Sequence, residues 1–297
     1  MKYVVIIPAK NEELCLAQTL DNLLHQTIRP QCILIVDNDS TDNTPNIVKN
    51  YSSINDNIKL YEFKNGNDYS LGGKIVKIFH AGKTYLDNLK VDYDYIIKMD
   101  ADTRFDNKIF EELSNKITGQ SLGIFSPIAF THQNNHRVYA SSPEWHTLGD
   151  FKIYNRQCLE KMGGLPEDLG WDCADNIRAM EIGYATQVFR DIGYEQTRPI
   201  GRYSLLKGWK RQGIGAWKLR YNPLYLFIKS LHDILKPPLF IGSLFYLFGY
   251  FTAMLGRYPR VLTKKQGKIL RKLFWKSLLD RFRKGRFYIF QIVKRNN

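Results

Sequence analysis

In the first hundred residues, short runs of apolar, largely β-branched residues alternate with segments whose apolar residues recur every three or four positions. The apolar runs at residues 4–7, 33–36, 58–63 and 95–99 are typical of buried strands. Helices are predicted at 16–24 and 75–89, and Thr44 is expected to cap a third that begins with Pro45. This β-α-β-α order predicts an α/β fold with a Rossmann-like, mostly parallel central sheet.

Polar, acid-rich residues follow three of the predicted strands. They are Pro8-Ala9-Lys10-Asn11-Glu12, Asp37-Asn38-Asp39 and Asp100-Ala101-Asp102. In open α/β sheets, ligands bind beyond the carboxyl ends of the strands, so these segments are expected to share one edge. Carboxylates placed together repel one another unless a cation or a hydrogen-bonding ligand offsets the repulsion. The sequence therefore predicts a binding site at this edge.

Asp100 and Asp102 stand two residues apart directly after a buried strand. Two carboxylates in this arrangement can share one hard divalent cation such as Mg²⁺ or Mn²⁺, whose remaining ligands are phosphate oxygens and water. The alternative interpretation is a solvated acidic turn. The two other acidic strand ends favour the metal site.

The rest of the chain is less regular. Residues 122–130, 138–141 and 185–191 are expected to be strands, and residues 172–182 a helix. We expect one domain over residues 1–215 and a distinct region over residues 216–297, where aromatic and basic residues predominate.

Four motifs stand in a fixed order along residues 1–215. They are Pro8-Ala9-Lys10-Asn11-Glu12-Glu13, Val36-Asp37-Asn38-Asp39-Ser40-Thr41-Asp42-Asn43-Thr44, Met99-Asp100-Ala101-Asp102, and Gly170-Trp171-Asp172-Cys173-Ala174-Asp175-Asn176-Ile177-Arg178 with Gly183-Tyr184. In this order and spacing, the chain resembles the inverting GT-A glycosyltransferases of family 2. The resemblance implies transfer of a sugar from a UDP- or GDP-sugar to an acceptor.

The resemblance also implies roles for individual residues at the donor site. The residues implied to hold the base and ribose are Pro8, Ala9, Glu12, Asp37, Asn38 and Asp39. Asp100 would contact the ribose or donor sugar and share the metal with Asp102, and the metal would neutralise the departing diphosphate. Lys74, Arg198 and Arg202 are candidates for the diphosphate. A solvated lysine at a helix start is an equal alternative for Lys74, and solvation is the more usual role of loop residues such as the two arginines.

Inverting transfer needs a general base that removes the proton of the acceptor hydroxyl. The family usually has a Glu-Asp pair here, and this chain has Trp171-Asp172 instead. We assign Asp172 as the base, with Asp175 as its rival on the same helix face and helix capping as the alternative role. Trp171 either stacks on a sugar ring or fills the core.

The family's processive members carry a Q-x-x-R-W signature, which is absent here. The corresponding region reads Lys207-Gly208-Trp209-Lys210-Arg211-Gln212-Gly213. We therefore expect one sugar to be added per encounter.

The net charge of +14 is confined to one end of the chain. Of the 43 Lys and Arg residues, 14 follow residue 255, with Asp280 as the one acid among them. Residues 239–255 before them carry no formal charge. Nucleic-acid binding would explain the charge but not the apolar segment, whereas an anionic membrane surface explains both.

A charge-free segment of 17 residues is at the short limit of a membrane span. A single span would also place the basic end opposite the catalytic domain, against the positive-inside rule. We therefore expect a re-entrant or in-plane segment at the cytoplasmic face of the cell membrane, although packing within the protein is an alternative. Four scattered cysteines without C-x-x-C spacing fit reduced thiols.

These observations predict a metal-dependent glycosyltransferase that acts on a lipid-linked or glycan acceptor. Two alternatives from other classes are a sugar-nucleotidyltransferase and a non-catalytic, membrane-tethered binding module. A nucleotidyltransferase is expected to have a Gly-rich basic loop after the first strand, and this chain has none there. The presence of Asp100, Asp102 and Asp172 argues against a non-catalytic binding module.

Overall fold

The computed structural model describes residues 1–64, 72–133, 136–198, 205–234 and 238–283. The chain forms two compact units. Unit 1 comprises Met1–Glu167 and Trp171–Pro199, and unit 2 comprises Asp168–Gly170 and Ile200–Asn297. Residue 215, at which we expect the first domain to end, lies in the helix Leu205–Lys218.

Unit 1 is built on one sheet. Its strands are β1 (Tyr3–Ala9), β2 (Cys32–Asp37), β3 (Ile58–Glu62), β4 (Tyr95–Met99), β5 (Thr103–Arg104), β6 (Leu122–Gln133), β7 (His136–Tyr139), β8 (Phe151–Asn155) and β9 (Ala185–Gln196). Its helices are α1 (Leu16–Leu24), α2 (Thr44–Ile54), α3 (Gly73–Asn88), α4 (Ile109–Ile117), α5 (Arg156–Lys161) and α6 (Trp171–Glu181). The strand order is β3-β2-β1-β4-β8-β6-β9-β5, and β7 pairs with β6.

The first half of the sheet is parallel, as predicted. β1 pairs in parallel with β2 and β4, and β2 with β3. The register opposes Ala9 to Asp37 and Asp37 to Glu62, so these three strands end level with one another. Beyond β4 the sheet is mixed, because β8 runs antiparallel to both β4 and β6.

Both faces of this sheet are covered. Side chains alternate along β1, so Val5 and Ile7 pack with Leu20 of α1 on one face. Val4 and Ile6 pack on the other face with residues of α3. The near-continuous apolar runs of the central strands follow from burial on two sides.

Unit 2 consists of the helices α7 (Leu205–Lys218), α8 (Pro223–His232), α9 (Ile241–Leu255) and α10 (Lys264–Arg283). α7 and α9 cross closely at two glycines. A Cβ on Gly213 would lie 1.9 Å from the Tyr246 carbonyl oxygen, and one on Gly249 would lie 2.1 Å from that of Lys210. Throughout the described residues, no helix has the length and apolar character needed to cross a membrane.

Candidate active site

The loops after β1 and β2 are joined by hydrogen bonds. Asn11 donates its backbone N–H to Ser40 Oγ at 2.9 Å, and its Oδ1 accepts from Thr41 N at 2.8 Å. Glu12 N donates to Thr44 Oγ1 at 2.8 Å, so the Thr44 hydroxyl binds the neighbouring loop. The expectation that Thr44 caps α2 is therefore wrong, because the helix already begins at Thr44 and its hydroxyl is used across the loops.

Asp37 and Asn38, at the end of β2, are buried polar residues with unused acceptor capacity. Asp37 Oδ2 accepts from Ser40 N at 3.2 Å, and Asn38 N donates to Ala9 O at 2.9 Å. Oδ1 of both side chains is buried without a hydrogen-bond partner among the described residues. Because buried polar atoms are normally hydrogen-bonded, these two acceptors favour a ligand that carries N–H or O–H donors.

The structure also describes four other predicted donor-site residues, which are Pro8, Ala9, Asp39 and Lys74. Pro8 and Ala9 are buried at the end of β1, whereas Asp39 is exposed with a left-handed φ of 56°. Lys74 lies half-buried in the first turn of α3.

Arg198 links the ends of β1 and β4. Its Nη2 lies 2.5 Å from Glu12 Oε2, and its Nε lies 2.8 Å from Asp102 Oδ2. Asp102 is also held through its backbone, since its carbonyl oxygen accepts from Thr197 Oγ1 at 3.1 Å. The guanidinium therefore neutralises two of the acids that the sequence places at this edge.

Asp100 is held by the buried lysine of its own strand. Lys98 Nζ donates to Asp100 Oδ1 and, at 2.6 Å, to the carbonyl oxygen of Gly149. Asp100 N donates to Asp150 O at 2.8 Å. The buried carboxyl of Asp150 has a raised pKa, chiefly because of burial and secondly because of the charge on Asp100.

Asp100 and Asp102 thus supply two carboxylates, each already engaged by one cationic side chain. Within the described ranges, no group of three or more His, Cys, Asp and Glu side chains is arranged to hold a metal ion. Two carboxylates suit Mg²⁺ or Mn²⁺ when phosphate oxygens and water fill the other positions. The residues therefore fit a cation that is held together with a diphosphate.

Lys98 and Lys152 oppose each other in the register of β4 and β8, and both are buried. Like charges directly opposite one another destabilise a sheet unless they are compensated. Lys98 is paired with Asp100, while Lys152 Nζ lies 2.7 Å from Asp175 Oδ2. Both ammonium groups also lie over the Trp171 ring, at 5.9 and 5.5 Å from its centroid.

The N-terminus of α6 brings Trp171 and Asp172 to this lysine pair. Trp171 is buried in the core, and a Cβ on Gly149 would lie 2.9 Å from its ring. The same Cβ would lie 3.3 Å from Asp172 Cβ. Gly149 therefore contacts Asp172 on one side and, through its carbonyl oxygen, Lys98 and so Asp100 on the other.

Asp172 and Asp175 differ sharply in their surroundings. Asp172 is half-buried, and its carbonyl oxygen accepts from Lys152 Nζ at 2.6 Å. Asp175 is fully buried, and its carboxylate oxygens bind Lys152 and, at 2.7 Å, Tyr154 OH. The carboxylate of Asp175, the rival candidate for the base and for substrate contact, is thus engaged by two side chains inside the protein.

His146 lies beside Asp172 and was not singled out in the sequence. Its Nε2 is buried without a hydrogen-bond partner in the described part of the chain. Burial lowers its pKa to about 4, against the opposing charge of Asp172. The imidazole is therefore neutral at pH 7.

Sequence reasoning thus missed Lys98, Lys152, Asp150 and His146. A signal was present for the lysines, since Ile-Ile-Lys-Met-Asp and Phe-Lys-Ile-Tyr-Asn each set one lysine inside an apolar strand. A lysine in such a position is rarely buried without a charged partner. The predicted Arg202 and residues 284–297 lie outside the described residues.

Comparison with known proteins identifies one family and several solved structures of similar fold. The sequence profile of Glycosyl transferase family 2 matches residues 4–168. The chain is 36% identical over 110 residues to the 4,4'-diaponeurosporenoate glycosyltransferase of Staphylococcus haemolyticus (strain JCSC1435). That match covers 35% of this chain and 25% of the relative, so the chain spans about a quarter of the relative's length.

Two solved structures are similar in fold. S. aureus TarS 1-349 in complex with UDP-GlcNAc has a TM-score of 0.59 at 18% identity, covering 97% of this chain and 93% of that chain. The mannosyltransferase PcManGT from Pyrobaculum calidifontis, in complex with GDP-Man and Mn²⁺, has a TM-score of 0.56 at 18% identity. The latter match covers 99% of this chain and 86% of that chain. The predicted GT-A fold is thereby confirmed.

Proposed function

Because the chain belongs to glycosyl transferase family 2, whose profile matches residues 4–168, we propose that it transfers one sugar per encounter from a UDP- or GDP-sugar to an acceptor. The chain is a glycosyltransferase, so the nucleotidyltransferase and binding-module alternatives are not retained. The observation that carries the donor assignment is the pair of buried oxygens on Asp37 and Asn38, which have no hydrogen-bond partner among the residues that the structure describes.

The nucleoside binds at the joined ends of β1 and β2. Asp37 and Asn38 accept hydrogen bonds from the base or ribose, with the backbone of Pro8 and Ala9 beside them. Binding satisfies acceptors that are otherwise buried without partners, and an unsatisfied buried acceptor costs roughly 1–3 kcal/mol. Asp39, the next residue after Asn38, is exposed.

The diphosphate lies toward Asp100 and Asp102, where Arg198 and Lys74 are the candidate cationic contacts. A Mg²⁺ or Mn²⁺ ion bound with the diphosphate would stabilise the charge that develops on the leaving group. Asp102, which is paired with Arg198, and Asp100, which is oriented by Lys98, would hold this ion together with the diphosphate. PcManGT was solved with GDP-Man and Mn²⁺, which supports such an ion in this fold.

Asp172 is the proposed general base. It is half-buried at the N-terminus of α6, whereas Asp175 is enclosed by Lys152 and Tyr154 and serves to hold α6 on the sheet. Trp171 is likewise a support for Asp172 rather than a sugar-stacking residue, since its ring is packed between Gly149 and the two lysines. A single displacement, in which the acceptor oxygen activated by Asp172 attacks the anomeric carbon opposite the departing nucleoside diphosphate, would invert that centre, and proton NMR of the fresh product tests this.

The acceptor we propose is a lipid-linked sugar at the cytoplasmic face of the cell membrane, because its hydroxyl carries the proton that Asp172 removes. The support is the apolar and basic character of the region after residue 216. Activity of this kind belongs to the assembly of cell-surface glycans or glycolipids.

A thermal-shift panel tests the donor site. Purified protein is melted with UDP, GDP, CMP or dTDP and their common sugars, each with Mn²⁺ or with EDTA. A ligand at about 100 times its Kd stabilises the fold by roughly 2.7 kcal/mol. We expect one nucleotide to stabilise the protein only with metal, and Asp102→Ala to remove the shift.

The matched control is Asp106→Ala, which removes an exposed carboxylate a few residues further on. That variant should keep the full nucleotide shift. A melt that no nucleotide changes, with or without metal, contradicts the donor site. An equal shift in EDTA contradicts the metal dependence alone.

A further inference from the structure

Large apolar side chains are exposed in one part of unit 2. In the described residues, more than half of the exposed large hydrophobic side chains lie between residues 224 and 255. A concentration of exposed apolar side chains in one part of a surface marks a site of interaction with a partner or a membrane. The question is which occupant these helices suit.

α9 has two distinct faces. One face, which includes Gly249 and Tyr250, is buried, with Gly249 against α7. The exposed apolar side chains recur three and four residues apart along the other face: Ile241, Leu244, Phe248, Phe251 and Leu255. An apolar stripe of this spacing runs along the whole helix.

α8 carries a second stripe of the same kind, formed by Leu224, Phe227 and Leu231. The two helices are in contact, since Ser243 Oγ donates to Ser230 O at 2.9 Å. We call the two stripes together the apolar surface. Its length along α9 is about 22 Å at 1.5 Å per residue, short of the roughly 30 Å needed to cross a bilayer.

Cationic side chains border the apolar surface. Lys210 Nζ lies 5.0 Å from the centroid of the exposed Phe248 ring. At the start of α8, Asn222 caps the helix and also lines a groove of about 630 Å³ on α10. The groove is lined further by Lys268, Arg271, Lys272, Trp275, Lys276, Leu279 and Asp280. Because its four cations outnumber its one acid, we call it the basic groove.

The apolar surface and the basic groove are held together by α8. Tyr225 stacks on Phe274 of α10 with ring centroids 4.7 Å apart, while Leu224 and Phe227 on the same helix are exposed. If a second copy of this chain packed on the apolar surface, the cations that border it in one copy would lie against those of the other and repel them. An anionic bilayer instead takes apolar side chains below the headgroups and cations among them.

We propose that α8 and α9 form a docking surface that lies in the plane of an anionic lipid bilayer, with the basic groove of α10 binding the headgroups. This deepens the proposed function, on which it rests for its purpose: it names the surface that holds the enzyme at a lipid-linked acceptor. The lipid partner is a phosphate-bearing anionic headgroup rather than a particular species.

Vesicle flotation tests this surface on the full chain. The vesicles are phosphatidylcholine alone, or phosphatidylcholine mixed with phosphatidylglycerol. The apolar variant is Leu244→Gln/Phe248→Gln/Phe251→Gln, and the matched control is Ile54→Gln/Leu89→Gln, which replaces exposed apolar residues of unit 1. We expect the parent and the control to float with the anionic vesicles, and the apolar variant to lose at least about tenfold in affinity.

Each variant is also melted with the stabilising nucleotide. An unchanged nucleotide shift alongside lost flotation supports the docking surface and leaves the donor site intact, whereas a lost shift with flotation retained would count against the donor site alone. Flotation of the apolar variant equal to that of the parent overturns the inference. So does a parent that is dimeric without vesicles and becomes monomeric in the apolar variant, because the surface then joins two copies.

A labelled single-site variant keeps the inference testable if the triple variant fails to fold. Phe248→Cys and Ile54→Cys, each in a Cys15→Ser background, are labelled with an environment-sensitive fluorophore. The label at 248 should brighten and shift to shorter wavelength on anionic vesicles, while the label at 54 should not. Equal spectra at both positions would contradict in-plane insertion.

Discussion

At the scale of single residues, the site depends on charges that the protein buries in pairs. Lys98 and Lys152 face each other across two strands, and each is neutralised by its own aspartate. Removing one member of a buried pair is costly, because the partner remains charged without compensation. Asp175 is therefore tied to folding, which separates it from Asp172.

Asp172→Asn tests the base. The substitution keeps the shape of the side chain but removes its capacity to accept a proton, so we expect kcat to fall by about 10²- to 10⁴-fold. The nucleotide-induced melting shift should stay that of the parent. Asp191→Asn, at an exposed surface carboxylate, should leave kcat unchanged.

Asp175→Asn distinguishes the rival assignment. It leaves the buried Lys152 ammonium without its carboxylate partner, so we expect the free energy of unfolding to drop by about 3–5 kcal/mol. If Asp175→Asn instead melted like the parent and lost activity, while Asp172→Asn remained active, Asp175 would be the base.

His146 gives the protein a predictable sensitivity to acid. Burial lowers its pKa from 6.5 to about 4 in the folded state, so the unfolded chain takes up the proton first as the pH falls. The stabilisation from neutral His146 is complete above pH 6.5 and is lost as the pH falls toward 4, by up to about 3 kcal/mol. Denaturant unfolding across this range should show a smaller loss for His146→Phe than for the parent.

The control for this series is His136→Gln, since His136 is exposed on β7. Its stability should fall with acid as steeply as that of the parent. Identical pH dependence in His146→Phe and the parent would assign the acid sensitivity to other groups.

At the scale of secondary structure, periodicity was a reliable guide wherever an element is apolar on one or both faces. The predicted strands at residues 4–7, 33–36, 58–63 and 95–99 and the predicted helices between them are confirmed. β8 was not predicted, because Lys152 interrupts its apolar pattern and its compensating acid lies 23 residues away in the chain. The carboxylates at the sheet edge were visible in the sequence, whereas their pairing with Arg198 and Lys98 depends on the tertiary fold.

The crossing of α7 and α9 can be tested with two glycines of one helix. Gly213→Ala places a Cβ 1.9 Å from the Tyr246 carbonyl, so the helices must separate and unit 2 should be destabilised by about 1–3 kcal/mol. Gly208→Ala meets nothing within 4 Å and should stabilise the helix by roughly 0.5–1 kcal/mol. Thermal denaturation followed by circular dichroism measures both, and equal effects would contradict the close crossing.

At the scale of the whole molecule, the charge is divided unevenly along the chain. The residues after 255 carry most of the net +14, while the preceding residues, which include the acidic site, are close to neutral. The basic end can therefore be attracted to an anionic membrane surface without any attraction of the catalytic domain to that surface.

This division predicts how vesicle binding responds to charge. Lys268→Gln/Lys272→Gln/Lys276→Gln removes three cations of the basic groove, each worth about 1 kcal/mol at an anionic surface, so affinity should fall by about 100-fold. Lys49→Gln/Lys90→Gln/Lys108→Gln removes the same charge from exposed positions of unit 1 and should bind nearly as the parent does. Rising salt should weaken vesicle binding of the parent steeply and that of the groove variant little. Salt screens the cations that contact the lipid, and the groove variant has fewer of them. Equal losses in the two variants would mean that net charge alone, rather than the groove, attracts the protein to the bilayer.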